Sequence, residues 1–210
     1  MKKFLAMLLS AALLCPAMAM AEDTIKIGIF EPMTGATAAG GSMEKEGFDL
    51  ANELYPDVLG KKIELVYGDN KSDRAEATLA AQSLVDKGVV AVLGSYGSGL
   101  SMAGGEVFAE NEIPALTATA TNPTITLDCE WYARICFIDP FQGTMLARYA
   151  VKNDYKKIAI MREKDSEYAV GLVKYFQDEI AAHDGFEVVE LCDFMNKDED
   201  FSALLGAVLA

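Results

Sequence analysis

The sequence predicts an α/β fold, a doubly wound parallel sheet followed by a second and smaller unit, and three observations carry that expectation. Short, continuously apolar runs such as VVAVL (89–93) are bounded by polar residues. Segments with apolar residues at helical spacing lie between them, and cap and turn signals mark where one gives way to the next. Strands of this kind are covered on both faces, which is the situation of a parallel sheet packed between helices.

The elements follow in order. IKIGIF (25–30) reads as the first strand, and Met43, Gly47, Leu50, Ala51 and Leu54 recur at helical spacing behind it. IELVY (63–67) follows a Gly-Lys-Lys turn. Asp73 then stands as a helix N-cap with Glu76 three residues on, the capping-box arrangement. Ala77, Ala80, Leu84 and Val85 supply that helix with an apolar face, and Lys87-Gly88 ends it. VVAVL is the third strand, a helix spans about 100–112, and IPALT (113–117) is the fourth strand. After the polar loop TATATNPTITLDCEW, YARICF (132–137) reads as a further strand and DPFQG (139–143) as a turn. The alternation then restarts with a helix over 144–153, the strand KIAIM, a helix over 169–182, the strand FEVVEL (186–191) and the opening of a helix in FSALLGAVLA. These signals divide the chain into a leader (1–21), a first lobe (22–138), a crossing (139–143) and a partial second lobe (144–210). A second lobe with two strands has a thin core and an open sheet edge, so the chain reads as a fragment or an early-ending product.

The leader has the three-part layout of a cleaved secretory signal: MKK, an apolar run, and small residues ending Ala-Met-Ala. Cleavage after Ala21 leaves Glu22 first and directs the protein to the periplasm. The lipoprotein alternative at Cys15 is disfavoured, because Leu14 stands where a small residue is needed. Without residues 1–21 the chain carries 16 basic against 32 acidic residues, a net charge of −16. Such a surface repels nucleic acid and anionic membranes. Cys129 and Cys136 flank a turn into a strand, which leaves a local bridge open; Cys192 is then either a buried apolar thiol or the partner of something outside this chain. His183, the single histidine, sits where a helix C-terminal cap is expected.

The loops after the strands are rich in Ser, Thr, Gly, Asn and Tyr: TGATAAGGS, GSYGSGLS, TATATNP and REKDSEYAVG. In an open parallel sheet ligands sit beyond the strand ends. Gly94, Gly97 and Gly99 have neither dinucleotide nor P-loop spacing, and no GxSxG elbow or partnered histidine supports acyl transfer. An exported hydrolase acting on small amides therefore lacks its nucleophile and base, and no cofactor or metal is expected. What remains is a set of helix-start N–H groups around the Ser98 hydroxyl, suited to a carboxylate. The bland alternative is that these serines only cap the next helix.

Taken together, GIFEPMTGATAAGG, GDNKSDRAEA, VVAVLGSYGSG, IPALTATATNP, RICFIDPFQG, DSEYAVGL and DEDFSALL keep the order and spacing of a family. The sequence resembles the periplasmic branched-chain amino-acid binding proteins of ABC transporters, which have the type I periplasmic binding fold, over nearly all of residues 24–205. The resemblance implies a non-enzymatic receptor that works as a monomer, closes on a small amino acid and delivers it to a membrane permease. It places Ser98, Thr119 and Thr121 on the ligand's carboxylate and amino groups, with Tyr96 and Gly97 beside them, and Tyr168 as a tyrosine closing from the second lobe. It makes DPFQG the first interlobe crossing. Relatives of this fold also take amides, urea or aromatic acids, so a different small ligand is the alternative. Two departures stand out. Many members carry an aromatic residue near Gly40, where this chain leaves open space, and the family's acid for the ammonium group comes from segments beyond residue 210.

Overall fold

The computed structural model describes residues 24–127 and 129–209. The signal-peptide expectation falls outside them. Two parallel sheets form. The larger has the strand order β2-β3-β1-β4-β5-β6, made from β1 (Ile25–Glu31), β2 (Asp57–Val58), β3 (Lys61–Asp69), β4 (Ala91–Gly94), β5 (Ala115–Thr117) and β6 (Tyr132–Arg134). All its pairings are parallel except the short antiparallel one between β2 and β3. The Gly60-Lys61-Lys62 turn read from sequence is therefore part of a hairpin edge, in which Asp57 and Val58 pair with Lys62 and Lys61. The smaller sheet pairs β7 (Lys157–Glu163) with β8 (Glu187–Phe194), also in parallel.

Helices α1 (Ala38–Leu54), α2 (Arg74–Asp86) and α3 (Ser98–Glu110) cover the larger sheet; α4 (Asp139–Lys152), α5 (Glu167–Ile180) and α6 (Ser202–Leu209) accompany the smaller one. Side chains alternate across a strand, and the end of β1 shows the consequence. Phe30 enters the core shared with Ala77, Ala81 and Leu84 of α2 and Leu100, Ala103, Val107 and Phe108 of α3. It meets Phe108 edge-on, with centroids 5.4 Å apart. Glu31, the next residue, points away from that cluster and interacts with Glu44 of α1.

The expected N-cap is present: Asp73 Oδ1 accepts from the N–H groups of Ala75 and Glu76 at 2.8 and 3.1 Å. The reciprocal half of the capping box is not formed, because Glu76 takes Lys71 instead. In α1 the predicted helix is correct, but its apolar stripe is outward: Met43, Leu50 and Leu54 are exposed. Gly41 approaches the sheet, where an added Cβ would lie 2.4 Å from the Pro32 carbonyl, and that close approach turns the Gly41–Glu44 side inward. DPFQG is not a turn ahead of a helix but the first turn of α4, with Pro140 at a position where a missing N–H is harmless. Strand β6 stops at Arg134, three residues short of the expectation. The Arg134 guanidinium folds back onto the carbonyls of Ala120 and Pro123 and the Thr126 hydroxyl.

Cys129, Cys136 and Cys192 are all free thiols, so the local bridge that the spacing left open is not formed. Cys129 packs against the larger core and Cys136 donates to the Ala120 carbonyl at 3.5 Å. Cys192 is buried, in keeping with the apolar-thiol reading. His183 follows α5 and sits 3.3 Å from the Glu179 carboxylate.

Candidate functional site

The strand order reverses across β1, whose neighbours are β3 and β4, and ligands bind at such a switch point beyond the strand ends. The register brings Glu31, Asp69 and Gly94 to that end of the sheet together. A cavity of about 470 Å³ opens there. It lies between the loops of the larger sheet and the start of α5, and Tyr96, Gly97, Ser98, Thr119, Thr121 and Tyr168 all line it. The six residues singled out from sequence are thus brought into one pocket.

Each is held by its local backbone. Gly97, at φ +93°, precedes α3 in a conformation that disfavours side chains, so the first N–H groups of α3 are presented at the pocket. Ser98 opens the helix, is almost fully buried, and accepts at its Oγ from the Asn122 N–H at 3.3 Å. Its own proton is therefore available to a ligand. Thr121 is buried, with its hydroxyl against the Asp139 carboxyl. Beneath these, the Ser95 carbonyl accepts from the hydroxyls of Ser101 and Thr117 at 2.9 and 3.1 Å, and Asn70 donates to the Ser95 hydroxyl at 2.8 Å. That buried network ties β3, β4, β5 and α3 into one rigid floor.

The facing wall comes from the smaller sheet unit. The Tyr168 hydroxyl accepts from Gln142 Nε2 at 3.0 Å and retains its proton. Glu167 joins the two units: its carboxylate pairs with Arg74 of α2, and its carbonyl accepts from Asn122 Nδ2 at 3.1 Å. A Cβ at Gly99 would meet the Glu167 carboxylate and displace that flexible side chain from its present position.

Sequence reasoning left the space over Gly40 open, and the structure corrects that. The Tyr96 ring fills it, close enough that a Cβ at Gly40 would lie 2.5 Å from the ring. An aromatic wall is thus kept, supplied from the β4–α3 loop. Sequence reading also passed over Glu31, Glu44, Phe137, Gln142 and Glu167. Glu31 carried a usable signal, an acid directly after a buried apolar strand.

The charges here are unusual. Glu31 is fully buried, and burial followed by the nearby Glu44 pushes its carboxyl up to about 9. Burial raises Glu44 as well, and it raises Asp139 at the start of α4 against the opposing pull of the Thr121 hydroxyl and Arg134. Asp69 behaves oppositely. Burial works against its charge, but donors from Thr34, Lys71 and Met33 outweigh it and hold the carboxylate below its ordinary value. Among the described residues no group of three or more His, Cys, Asp and Glu is placed to hold a metal ion, and no helix is long and apolar enough to cross a membrane.

The chain is 32% identical over 186 residues to a Leu/Ile/Val-binding protein homologue of Brucella melitensis, an alignment covering 86% of this chain and 50% of that one. It is 36% identical to the solved leucine-binding protein LivK of Thermotoga maritima, with a TM-score of 0.83 over 88% of this chain and 53% of the other. LivJ of Streptococcus pneumoniae, solved in complex with isoleucine, gives 31% identity and a TM-score of 0.82, covering 89% of this chain and 54% of the other. A Rhodopseudomonas palustris solute-binding protein solved with 4-hydroxybenzoate gives 26% and 0.81, with 89% and 51% covered. The chain spans about half the length of these relatives. The family model described as periplasmic binding protein matches residues 24–210, so the strand order, the pocket at its switch point and these likenesses agree: the chain belongs to the periplasmic binding protein family.

Proposed function

We propose that the chain forms the first lobe and part of the second lobe of an extracytoplasmic receptor that binds a small amino acid, branched-chain by preference, and hands it to an ABC transporter permease. The observation that carries this reading is the pocket itself. Helix-start N–H groups, the Ser98 proton and the Thr121 hydroxyl converge on one side, and Tyr168 faces them from the other. Charge-assisted hydrogen bonds to a carboxylate contribute about 1.5–3 kcal/mol each. Such groups recognise the part shared by all amino acids. The volume of about 470 Å³ suits a ligand of that size.

In this reading residues 22–138 form the first lobe and 144–210 belong to the second, with 139–143 crossing between them. Residues 1–21 are removed on export. The receptor works as a monomer, and hinge closure over the ligand brings both lobes into register for the permease. The groups at the pocket bind and release; none is paired as nucleophile and base, so the reading is one of carriage without reaction.

A second ligand class is favoured by the aromatic lining from Tyr96 and Phe137 and by the likeness to a 4-hydroxybenzoate complex. Titration calorimetry with L-leucine, L-isoleucine, L-valine and 4-hydroxybenzoate separates the two. Saturable heat with the aliphatic amino acids supports the main reading. Heat with 4-hydroxybenzoate alone overturns it in favour of the second.

A further inference from the structure

Behind the pocket wall lies a pair of carboxyl groups that the binding reading does not use. Glu31, at the end of β1, accepts the Tyr96 N–H at Oε2 over 2.7 Å. Glu44, on α1, accepts the Thr119 hydroxyl at Oε1. The two remaining oxygens, Glu31 Oε1 and Glu44 Oε2, are buried and have no other partner, while the carboxyls hydrogen-bond to each other. Backbone closes over them, since a Cβ at Gly94 would lie 2.4 Å from Glu31 Oε1.

We propose that Glu31 and Glu44 act as one proton-sharing pair that positions the pocket wall, Glu31 through the Tyr96 amide and Glu44 through the Thr119 hydroxyl, and that Thr119 in consequence meets the ligand's ammonium group and not its carboxylate. Two carboxylates in contact away from water do not both ionise, and one proton held between them satisfies both orphan oxygens. A hydroxyl has a single proton. That of Thr119 is committed to Glu44, so only lone pairs face the pocket, and lone pairs attract an ammonium and repel a carboxylate. Ser98 is the converse, since it accepts from Asn122 and keeps a proton to donate. The pocket is thereby polarised, acceptor at Thr119 and donor at Ser98. The surrounding titratable groups are Tyr132 of β6 and Cys136 beyond it, and both are pushed up, first by burial and then in part by the charge of the pair. The assignment of Thr119 rests on the amino-acid reading above; the pair itself does not.

The test uses Glu31→Gln, which carries a permanent donor where the shared proton sits, and Thr119→Val. The first readout needs no ligand. In the folded protein Glu31 keeps its proton up to about 9, against 4.5 for an ordinary glutamate. Between those values folding takes up a proton, so stability falls as pH rises, and the unfolding constant grows by up to about tenfold per pH unit. Urea unfolding from pH 5 to 9 should show this slope in the wild type and a markedly flatter one in Glu31→Gln. Equal slopes overturn the pair. The second readout compares L-leucine with 4-methylpentanoate, the same acid without its ammonium group. Thr119→Val should weaken leucine about tenfold and leave 4-methylpentanoate unchanged; equal weakening of both overturns the ammonium assignment. A third is the fall in leucine affinity above pH 9, which should be steeper in the wild type than in Glu31→Gln, because titration of leucine itself is common to both. Equal falls remove the positioning role. If leucine fails to bind the wild type, the amino-acid reading and the Thr119 assignment fall together, while the ligand-free slopes still decide the pair.

Discussion

The larger sheet unit and the smaller one are written in the same strand–helix alphabet, and their interiors differ sharply. Among the described residues, fourteen buried ones form one continuous cluster in the first, spanning both Phe30 and Tyr132. In the second, Ala147, Ala150 and Ile180 make up the buried cluster, with partly covered neighbours such as Phe176 and Val188 around it. Strand β7 and the start of β8 alternate exposed and half-covered residues, with Cys192 the buried residue of β8, whereas the end of β1 is buried on both faces. Local pattern is therefore enough to form a strand or a helix, but a core requires layers on both sides of the sheet. The site draws on both regimes: a rigid floor from the larger unit and a lightly supported wall from the smaller.

That contrast can be broken or sharpened by measurement. Phe30→Ala should cost about 3–5 kcal/mol by urea unfolding, as for other large buried aromatic residues. Ile180→Ala should cost less, in the lower part of the roughly 2–5 kcal/mol range for aliphatic truncations, because its surroundings are open enough to collapse. An equal loss at the two positions would remove the distinction. Gly143→Ala probes the place where the smaller unit is packed most tightly, since an added Cβ would meet the Tyr175 Cβ at 2.7 Å and the Leu172 carbonyl at 2.9 Å. Overpacking of this kind costs about 1–3 kcal/mol, and it should shift α4 from α5 without disturbing the larger core.

At the pocket, Ser98→Ala and Thr121→Ala should each lower amino-acid affinity about tenfold or more, read by calorimetry. Unchanged affinity in both would detach the floor from binding. Asp73→Ala removes the cap of α2 and should lower stability by about 1 kcal/mol. The smallest expected effect is on the thiols. With Cys129 and Cys136 free, the melting temperature should be the same with and without reductant, and a drop on reduction would restore the bridge.

Much of this was legible in advance because it is local. The Asp73 cap, the Gly88 stop and the apolar face of Ala77 and Leu84 depend on residues a few positions apart. The loops that carry the six pocket residues were readable for a related reason, since loops at the ends of parallel strands converge whatever their sequence separation, while the choice of those six residues came from the family resemblance. The pairing of Glu31 with Glu44 was not readable, although both letters were in plain view. Their meaning depends on which face of β1 is turned to α1, and on the absence of a side chain at Gly94. The same is true of Tyr96, whose ring occupies the space that Gly40 leaves, and of the α1 stripe, where a close approach at Gly41 overruled hydrophobicity.

The sequence by itself determined the alternation of elements, their caps and the chemistry of the loops, since these follow from backbone preference and side-chain period over a few residues. Tertiary structure alone decided which carboxyls share a proton, which hydroxyl has one to give, and which glycine makes room for a ring. Those properties depend on desolvation and on contacts between segments tens of residues apart, and they come into being only when the chain has folded.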